Sequence, residues 1–261
     1  MTAQADDLAL ALELAGLADE ITTARYRAED LVVETKPDLT PVTEADRNVE
    51  HLVRDRLAAA RPDDAIVGEE LGGSGEAERR WIIDPIDGTK NYVRGIPVWA
   101  TLLALEVGGR IEVGVVSAPA LYRRWWASRD EGAFVHDGRT TRELRVSAIG
   151  DLGDAQLCFG GLEDWEGIGR LGDLLELGRG CWRTRGFGDI LQYMLVAEGA
   201  AEIGLDPEAK VWDLAAPLII VEEAGGRFTD LSGAARADGG DGMATNGLVH
   251  DAALAIIGRP E

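Results

Sequence analysis

The stretch Trp81-Ile82-Ile83-Asp84-Pro85-Ile86-Asp87-Gly88-Thr89-Lys90-Asn91 determines how the rest of the chain is interpreted. Its apolar start indicates a short buried strand, and Pro85, which has no backbone N–H, predicts that the strand ends at Asp84. Asp87-Gly88 is typical of a turn, and a helix that begins after it presents free backbone N–H groups. Two carboxylates followed by such amides and a hydroxyl suit a divalent metal and a phosphate together. The alternative is an ordinary strand, turn and capped helix.

Hydrophobic periodicity divides the chain into two lobes, residues 1–147 and residues 148–261. The first lobe opens with helical patterns and continues as strands, with Gly108-Gly109 predicting a two-residue hairpin. The second lobe alternates strand and helix patterns, which is typical of a layered α/β structure whose sheet edges can hold a site. Further expectations are a flexible tip at residues 72–75, one helix at 167–177, and a last strand and helix at 243–246 and 248–257.

Three other acids stand where regular elements begin or end. Glu69 follows a predicted strand, and Asp213 lies in the first turn of a long apolar helix. Asp46 follows Thr43 with the spacing of a helix capping box, so a purely structural role is one interpretation of it. Asp213 is likewise favoured by the helix dipole alone, and Glu69 could be a solvated loop charge.

Composition indicates a folded protein, because 46% of the 261 residues are hydrophobic and 28% are charged. The formal net charge of −21 argues against nucleic acid or an anionic membrane surface as a partner. The sequence contains no apolar run of the ~18 residues that span a bilayer and no basic region of a signal peptide. Cys158 and Cys181 lack the spacing of a metal motif and are typical of reduced thiols in a cytoplasmic protein.

The central stretch resembles the signature of the inositol monophosphatase superfamily, W-x-x-D-P-[ILV]-D-G-T. The members are Mg²⁺-dependent, lithium-inhibited phosphatases of small molecules. The resemblance implies an α/β (α+β) fold, layered as an α-β-α-β-α sandwich in two lobes, and a homodimer. The first lobe would carry the metal and phosphate motif, and the second would complete the metal site and the substrate pocket.

The resemblance also implies which residues form the site. Two or three Mg²⁺ ions would be bound by Glu69, Asp84, the carbonyl of Ile86, Asp87 and Asp213, with the weakest ion near Glu69 and Asp46. Gly88 and Thr89 would contact the phosphate. A water molecule activated by the metal, with its proton accepted through Thr89 and Glu69, would attack phosphorus in line. Several divalent ions would also offset the carboxylate charge that otherwise repels a phosphate substrate.

Within the superfamily the sequence is most similar to the actinobacterial type of histidinol-phosphate phosphatase. The similarity lies in the segments 35–43, 90–95, 117–121, 124–126 and 244–248. It implies a small phosphorylated metabolite, L-histidinol phosphate, as the substrate. The substrate-binding candidates are Arg185, Asp189, Asp206 and Asn246, the last of these reaching the imidazole from the same or a partner subunit.

Several of these interpretations have alternatives. Asp189 could be a helix cap and Asp206 a turn acid before a proline. Position 206 is also Asp where the subgroup leads us to expect Glu. Alternative functions are an inositol-1-phosphate or fructose-1,6-bisphosphate phosphatase, a nucleotide 3′-phosphatase, and a metal-dependent binding protein on a phosphatase fold.

Overall fold

A computed structural model describes residues 3–37, 39–75 and 77–258, so Asp38, which belongs to the predicted segment 35–43, lies outside the described residues. The helices are α1 (Ala3–Arg25), α2 (Glu44–Ala60), α3 (Thr89–Arg94), α4 (Leu162–Gly167), α5 (Leu171–Gly180), α6 (Asp189–Ala197), α7 (Val211–Glu223) and α8 (His250–Ile257). Strands β1 (Val33–Thr35) and β2 (Pro41–Thr43) form a hairpin between α1 and α2.

The other described strands form two sheets. The larger sheet contains β3 (Ala65–Gly68), β4 (Gly72–Ser74), β5 (Arg79–Asp87), β6 (Ala100–Val107), β7 (Arg110–Ala118), β8 (Arg123–Ser128), β9 (Ala133–His136) and β10 (Thr141–Glu143), in the order β10-β9-β8-β7-β6-β5-β3-β4. The smaller sheet contains β11 (Gln156–Phe159), β12 (Arg183–Arg185), β13 (Ile203–Asp206), β14 (Arg227–Thr229) and β15 (Gly242–Thr245), in the order β12-β11-β13-β15-β14.

Hydrophobic packing stacks these elements in five layers. Helices α1 and α2 cover one face of the larger sheet, with Leu14 and Val53 packed against Trp81 and its neighbours. Helices α6 and α7 lie between the two sheets in one continuous core. Helices α4, α5 and α8 cover the outer face of the smaller sheet. The predicted α-β-α-β-α sandwich is confirmed, while the lobe boundary at residue 147 stays a prediction.

The structure differs from the sequence interpretation at the central stretch, because β5 does not end at Asp84 but continues to Asp87. The pairing of β5 with β6 shifts register between Asp84 and Asp87, so Pro85 lies in an irregularity where its missing N–H breaks no ladder bond. The Pro85 carbonyl instead accepts a 2.7 Å hydrogen bond from the hydroxyl of Thr101. Both carboxylates are therefore carried by one rigid strand end.

Two other local predictions were wrong, and one strand was missed. The expected flexible tip at residues 72–75 includes a short strand, β4, which pairs antiparallel with β3. The expected single helix at 167–177 is two helices, α4 and α5, because the chain turns at Gly169 with a φ of 75°. Strand β14 was not predicted, since three residues are too short to show an alternation. Within the described residues, no helix combines the length and apolar character needed to cross a membrane.

Candidate active site

Three carboxylates from two parts of the chain meet where β5 ends. Asp84 and Asp87 belong to β5, and Asp213 lies in the first turn of α7. One oxygen from each lies within 4.8 Å of the others. Asp84 is 1% exposed and Asp87 is 9% exposed, so the group is largely shielded from bulk water.

Backbone hydrogen bonds fix two of these acids. Asp87 accepts a 2.8 Å bond from the N–H of Ile190, and Asp213 accepts a 2.6 Å bond from the N–H of Lys210 as part of the α7 cap. In contrast, the Oδ1 atom of Asp84 is buried with no hydrogen-bond partner among the described residues. A buried carboxylate oxygen without a donor, beside two other carboxylates, suits a divalent cation.

The electrostatics of the cluster support the same conclusion. Burial raises the pKa of Asp84 well above its usual range, and the charges of Glu69 and Asp213 raise it further. The pKa of Asp87 is also raised well above its usual range, mainly by burial and then by the charges of Asp189 and Asp213. The pKa of Asp213 rises to about 6, mainly through burial. Bringing these carboxylates together therefore costs free energy that a bound cation would offset.

Glu69 follows β3 beside the cluster but makes a different contact in this structure. Its Oε1 atom lies 2.7 Å from the ammonium of Lys36, which also lies 2.9 Å from Oε1 of Glu70. Lys36 comes from the β1–β2 hairpin, and no pattern in the sequence predicted that it would pair with these acids. Glu69 is thus near Asp84, but it is not one of the three carboxylates that converge.

Asp46 and Thr89 form a second part of the site. Asp46 is fully buried at the start of α2, where its Oδ2 atom accepts from the N–H and hydroxyl of Thr43, so the predicted capping box is confirmed. Its other oxygen lies 3.3 Å from the hydroxyl of Thr89, which is also 2.9 Å from the carbonyl of Ile86. Burial raises the pKa of Asp46 to about 6. Asp46 thus combines a capping role with a position beside Thr89.

Gly88 connects β5 to α3 in the left-handed region, with a φ of 77°. A side chain is strained there, and a Cβ atom would lie 3.0 Å from the carbonyl of Val98 and 3.5 Å from Cγ of Asp189. The positive φ and the close approach of the Val98 carbonyl therefore favour glycine at this position. The N–H groups that begin α3 have no acceptor within their own helix.

Asp189 lies beside this turn at the first position of α6. Its Oδ2 atom accepts a 2.7 Å hydrogen bond from the side-chain amide of Asn91, and its φ is 47°. Burial raises its pKa to about 6. Asn91 belongs to the central stretch, yet no pattern in the sequence predicted its hydrogen bond to an acid 98 residues away.

Asp206 is the last residue of β13 and lies at the edge of the smaller sheet where this strand ends. Its carboxylate accepts hydrogen bonds from the side-chain amide of Gln192 and, at 3.1 Å, from the hydroxyl of Tyr193. Burial raises its pKa well above the usual range, and the charges of Asp189 and Asp213 act in the same direction. Asp206 is therefore a half-buried, hydrogen-bonded acid rather than a solvated turn residue.

The last two substrate-binding candidates lie at different edges. Arg185 is the last residue of β12, and β12 runs parallel to β11 and β13. Arg185 therefore lies at the same edge of the smaller sheet as Asp206, and its side chain is exposed. Asn246 follows β15, which is antiparallel to β13, and so lies at the opposite edge. It is buried, and its amide donates to Ser147 and Ile149. Within its own subunit Asn246 therefore lies at the sheet edge opposite Asp206, and its contact with the substrate stays a prediction.

The sequence matches the profile of the inositol monophosphatase family over residues 4–257. This chain belongs to the inositol monophosphatase family. It is 55% identical to the histidinol-phosphatase of Mycobacterium tuberculosis, over 95% of this chain and 96% of that protein. It is 52% identical to the histidinol-phosphatase of Streptomyces coelicolor, over 97% of each. A solved IMPase from Thermotoga maritima superposes with a TM-score of 0.86 at 32% identity, covering 97% of this chain and 96% of that one.

These similarities confirm the family that the sequence predicted. The chain is a phosphatase of a metal-dependent family, and the three converging carboxylates provide a suitable donor set for the metal.

Proposed function

We propose that this protein is a Mg²⁺-dependent phosphomonoesterase that hydrolyses L-histidinol phosphate to L-histidinol and phosphate. The observation that carries the substrate is the presence of two further acids, Asp189 and Asp206, beside the three converging carboxylates. Histidinol carries an ammonium group and an imidazole, whereas inositol is a neutral polyol. The two relatives named histidinol-phosphatase support the same choice.

The metal would be held by Asp84, Asp87 and Asp213, with Glu69 and the Ile86 carbonyl as the remaining proposed ligands. Bound there, Mg²⁺ would activate a water molecule and offset the charge of the phosphoryl group. The sequence similarity supports two or three ions and inhibition by Li⁺. For Glu69 to become a ligand, its carboxylate must exchange the ammonium of Lys36 for the metal.

Thr89 and Asp46 would manage the proton of the attacking water. The Thr89 hydroxyl can pass its own proton to the Oδ1 atom of Asp46, 3.3 Å away, while it accepts one from the water. A pKa of about 6 makes Asp46 a suitable acceptor near neutral pH. We prefer Asp46 to Glu69 in this role because Glu69 faces Lys36 rather than Thr89.

Binding of the substrate would use both sides of the site. The N–H groups of Gly88 and Thr89 at the start of α3 would bind the phosphate oxygens. Asp189 and Asp206 would bind the cationic groups of histidinol, and exposed Arg185 lies at the rim of the same edge. A contact from Asn246 would require the site of a second copy, since within its own chain it lies at the opposite sheet edge. The proposal includes a cytoplasmic homodimer, an expectation taken from the sequence similarity.

A panel of phosphomonoesters tests this function. With Mg²⁺ present, kcat/KM for histidinol phosphate should exceed that for inositol-1-phosphate by more than ~10²-fold, because charge-assisted hydrogen bonds contribute about 1.5–3 kcal/mol each. Chelation should abolish turnover of every substrate. Equal kcat/KM for both substrates would favour an inositol phosphatase, and activity that persists in chelator would contradict the metal mechanism.

A further inference from the structure

Glu50 is a buried acid outside the proposed metal ligands. It lies on α2, is 0% exposed, and points toward the turn that joins β3 to β4. Its Oε2 atom accepts a 2.8 Å hydrogen bond from the N–H of Glu70, and its Oε1 atom accepts a 3.2 Å bond from the N–H of Leu71. One carboxylate therefore binds the two peptide groups that directly follow Glu69.

Arg54, one helical turn after Glu50, completes this contact. Its guanidinium lies 2.7 Å from Oε1 of Glu50 and also donates to the carbonyl of Gly72. The pair thus holds the turn through two N–H groups and one carbonyl. Arg54 thus provides a charged partner for the buried carboxylate, which accepts from both N–H groups.

Gly68, on the other side of Glu69, shows how closely the carboxylate fits. A Cβ atom at this position would overlap the carboxylate of Glu50. The backbone of residues 68–71 therefore lies directly against Glu50, and the direction of the Glu69 side chain depends on this contact. Displacement of the turn by even about 1 Å would move the Glu69 carboxylate away from Asp84.

We infer that Glu50 is a positioning residue, which orients Glu69 for metal binding by holding the peptide groups of Glu70 and Leu71. This inference rests on the proposed role of Glu69 as a metal ligand. Groups that orient a metal ligand typically affect metal affinity by 10- to 100-fold when they are removed. Glu50 itself stays outside the metal site and contacts neither metal nor substrate.

The test measures Mg²⁺ affinity by isothermal titration calorimetry, together with thermal stability in chelator. Glu50→Gln turns one N–H acceptor into an NH₂ group, so Mg²⁺ binding should weaken about 10-fold or more. The control is Glu202→Gln, because Glu202 is also a buried acid that accepts a backbone N–H, from Gln156 at 2.6 Å, but lies away from this turn. Glu202→Gln should lower stability without changing Mg²⁺ affinity.

A double-mutant cycle separates positioning from general destabilisation. In a Glu69→Gln background, Glu50→Gln should weaken Mg²⁺ binding by less than about 2-fold, because the ligand that it orients is already lost. If Glu50→Gln does not fold, Gly68→Ala is the second variant, since its methyl group displaces the same carboxylate and should weaken Mg²⁺ binding similarly.

Two results would overturn the inference. Unchanged Mg²⁺ affinity in Glu50→Gln, while Glu69→Gln weakens it, would reject the positioning role and leave the proposed function intact. Unchanged Mg²⁺ affinity in Glu69→Gln would instead show that Glu69 is not a metal ligand. That result would reject both the proposed role of Glu69 and the positioning role of Glu50.

Discussion

Asp87, at the end of β5, accepts a 2.8 Å hydrogen bond from the backbone N–H of Ile190 in the first turn of α6. The two residues are 103 positions apart in the sequence, and the bond is buried. One carboxylate therefore both contributes to the acidic cluster and anchors a helix of the second half of the chain. The position of this acid is fixed before any ligand binds.

This contact predicts the behaviour of Asp87→Asn. The amide oxygen can still accept from Ile190, so the melting temperature in chelator should not fall. The charge that would bind metal is lost, and kcat should decrease at least ~10²-fold at saturating Mg²⁺. Phosphate release and thermal unfolding of the same preparation check both parts. Activity near that of the unmodified protein would exclude Asp87 as a ligand.

Asp84→Asn should have opposite effects on stability and metal response. Asp84 is buried among like charges, and none of the described residues donates a hydrogen bond to its Oδ1 atom, so its charge destabilises the metal-free protein. The variant should melt a few degrees higher in chelator, given about 2–4 °C per kcal/mol for a chain of this size. Added Mg²⁺ should stabilise it less than it stabilises the unmodified protein. A lower melting temperature in chelator would contradict this account.

Thr89→Ala tests the proton path. The hydroxyl lies between the Ile86 carbonyl and Asp46, so its removal should lower kcat by roughly 10²–10⁴-fold and change KM little. Thr89→Ser keeps the hydroxyl and is the control that should retain most activity. A rise in KM with unchanged kcat would show instead that Thr89 only binds the phosphate.

Asp189→Asn tests the choice of substrate. Asn tolerates the positive φ of this position and can still accept from Asn91, so the fold should persist. The lost charge should lower kcat/KM for histidinol phosphate about 10- to 100-fold and leave a neutral phosphomonoester little affected. Asp55→Asn, at an exposed acid of α2, is the control. A uniform loss across substrates would assign Asp189 to the metal cluster.

His250 predicts a pH dependence that is separate from catalysis. The imidazole is fully buried between the hydroxyls of Thr229 and Thr245, and burial lowers its pKa to about 4 from an ordinary value of 6.5. Between pH 6.5 and pH 4 the unfolded chain therefore binds more protons than the folded chain at this residue, so stability falls as the pH is lowered.

The experiment compares the unmodified protein with His250→Gln at each pH, because all other titrating groups are shared. The free energy of unfolding, measured in urea, should fall more steeply for the unmodified protein between pH 6.5 and pH 4. Parallel curves for the two proteins would show that His250 does not titrate in this window.

The sequence predicted the acids of the site better than their contacts. Asp84 and Asp87 were found because strand, turn and helix signals coincide within a few residues. Glu50 was missed because a buried acid on a helix looks like any exposed one until its partners, 20 residues away, are known. The prediction that β5 ends at Asp84 failed for a similar reason, since the register shift against β6 is a property of the paired strands.

Helix α7 has a consequence for how the chain is made. It covers the inner face of the larger sheet, whose strands β5 to β8 end by residue 128, yet the helix itself spans Val211–Glu223. At 5–20 residues per second, a ribosome needs roughly 5–20 s to synthesise the intervening residues. During that interval the apolar inner face of the larger sheet is not yet covered by α7. We therefore expect chaperones to bind nascent chains of intermediate length.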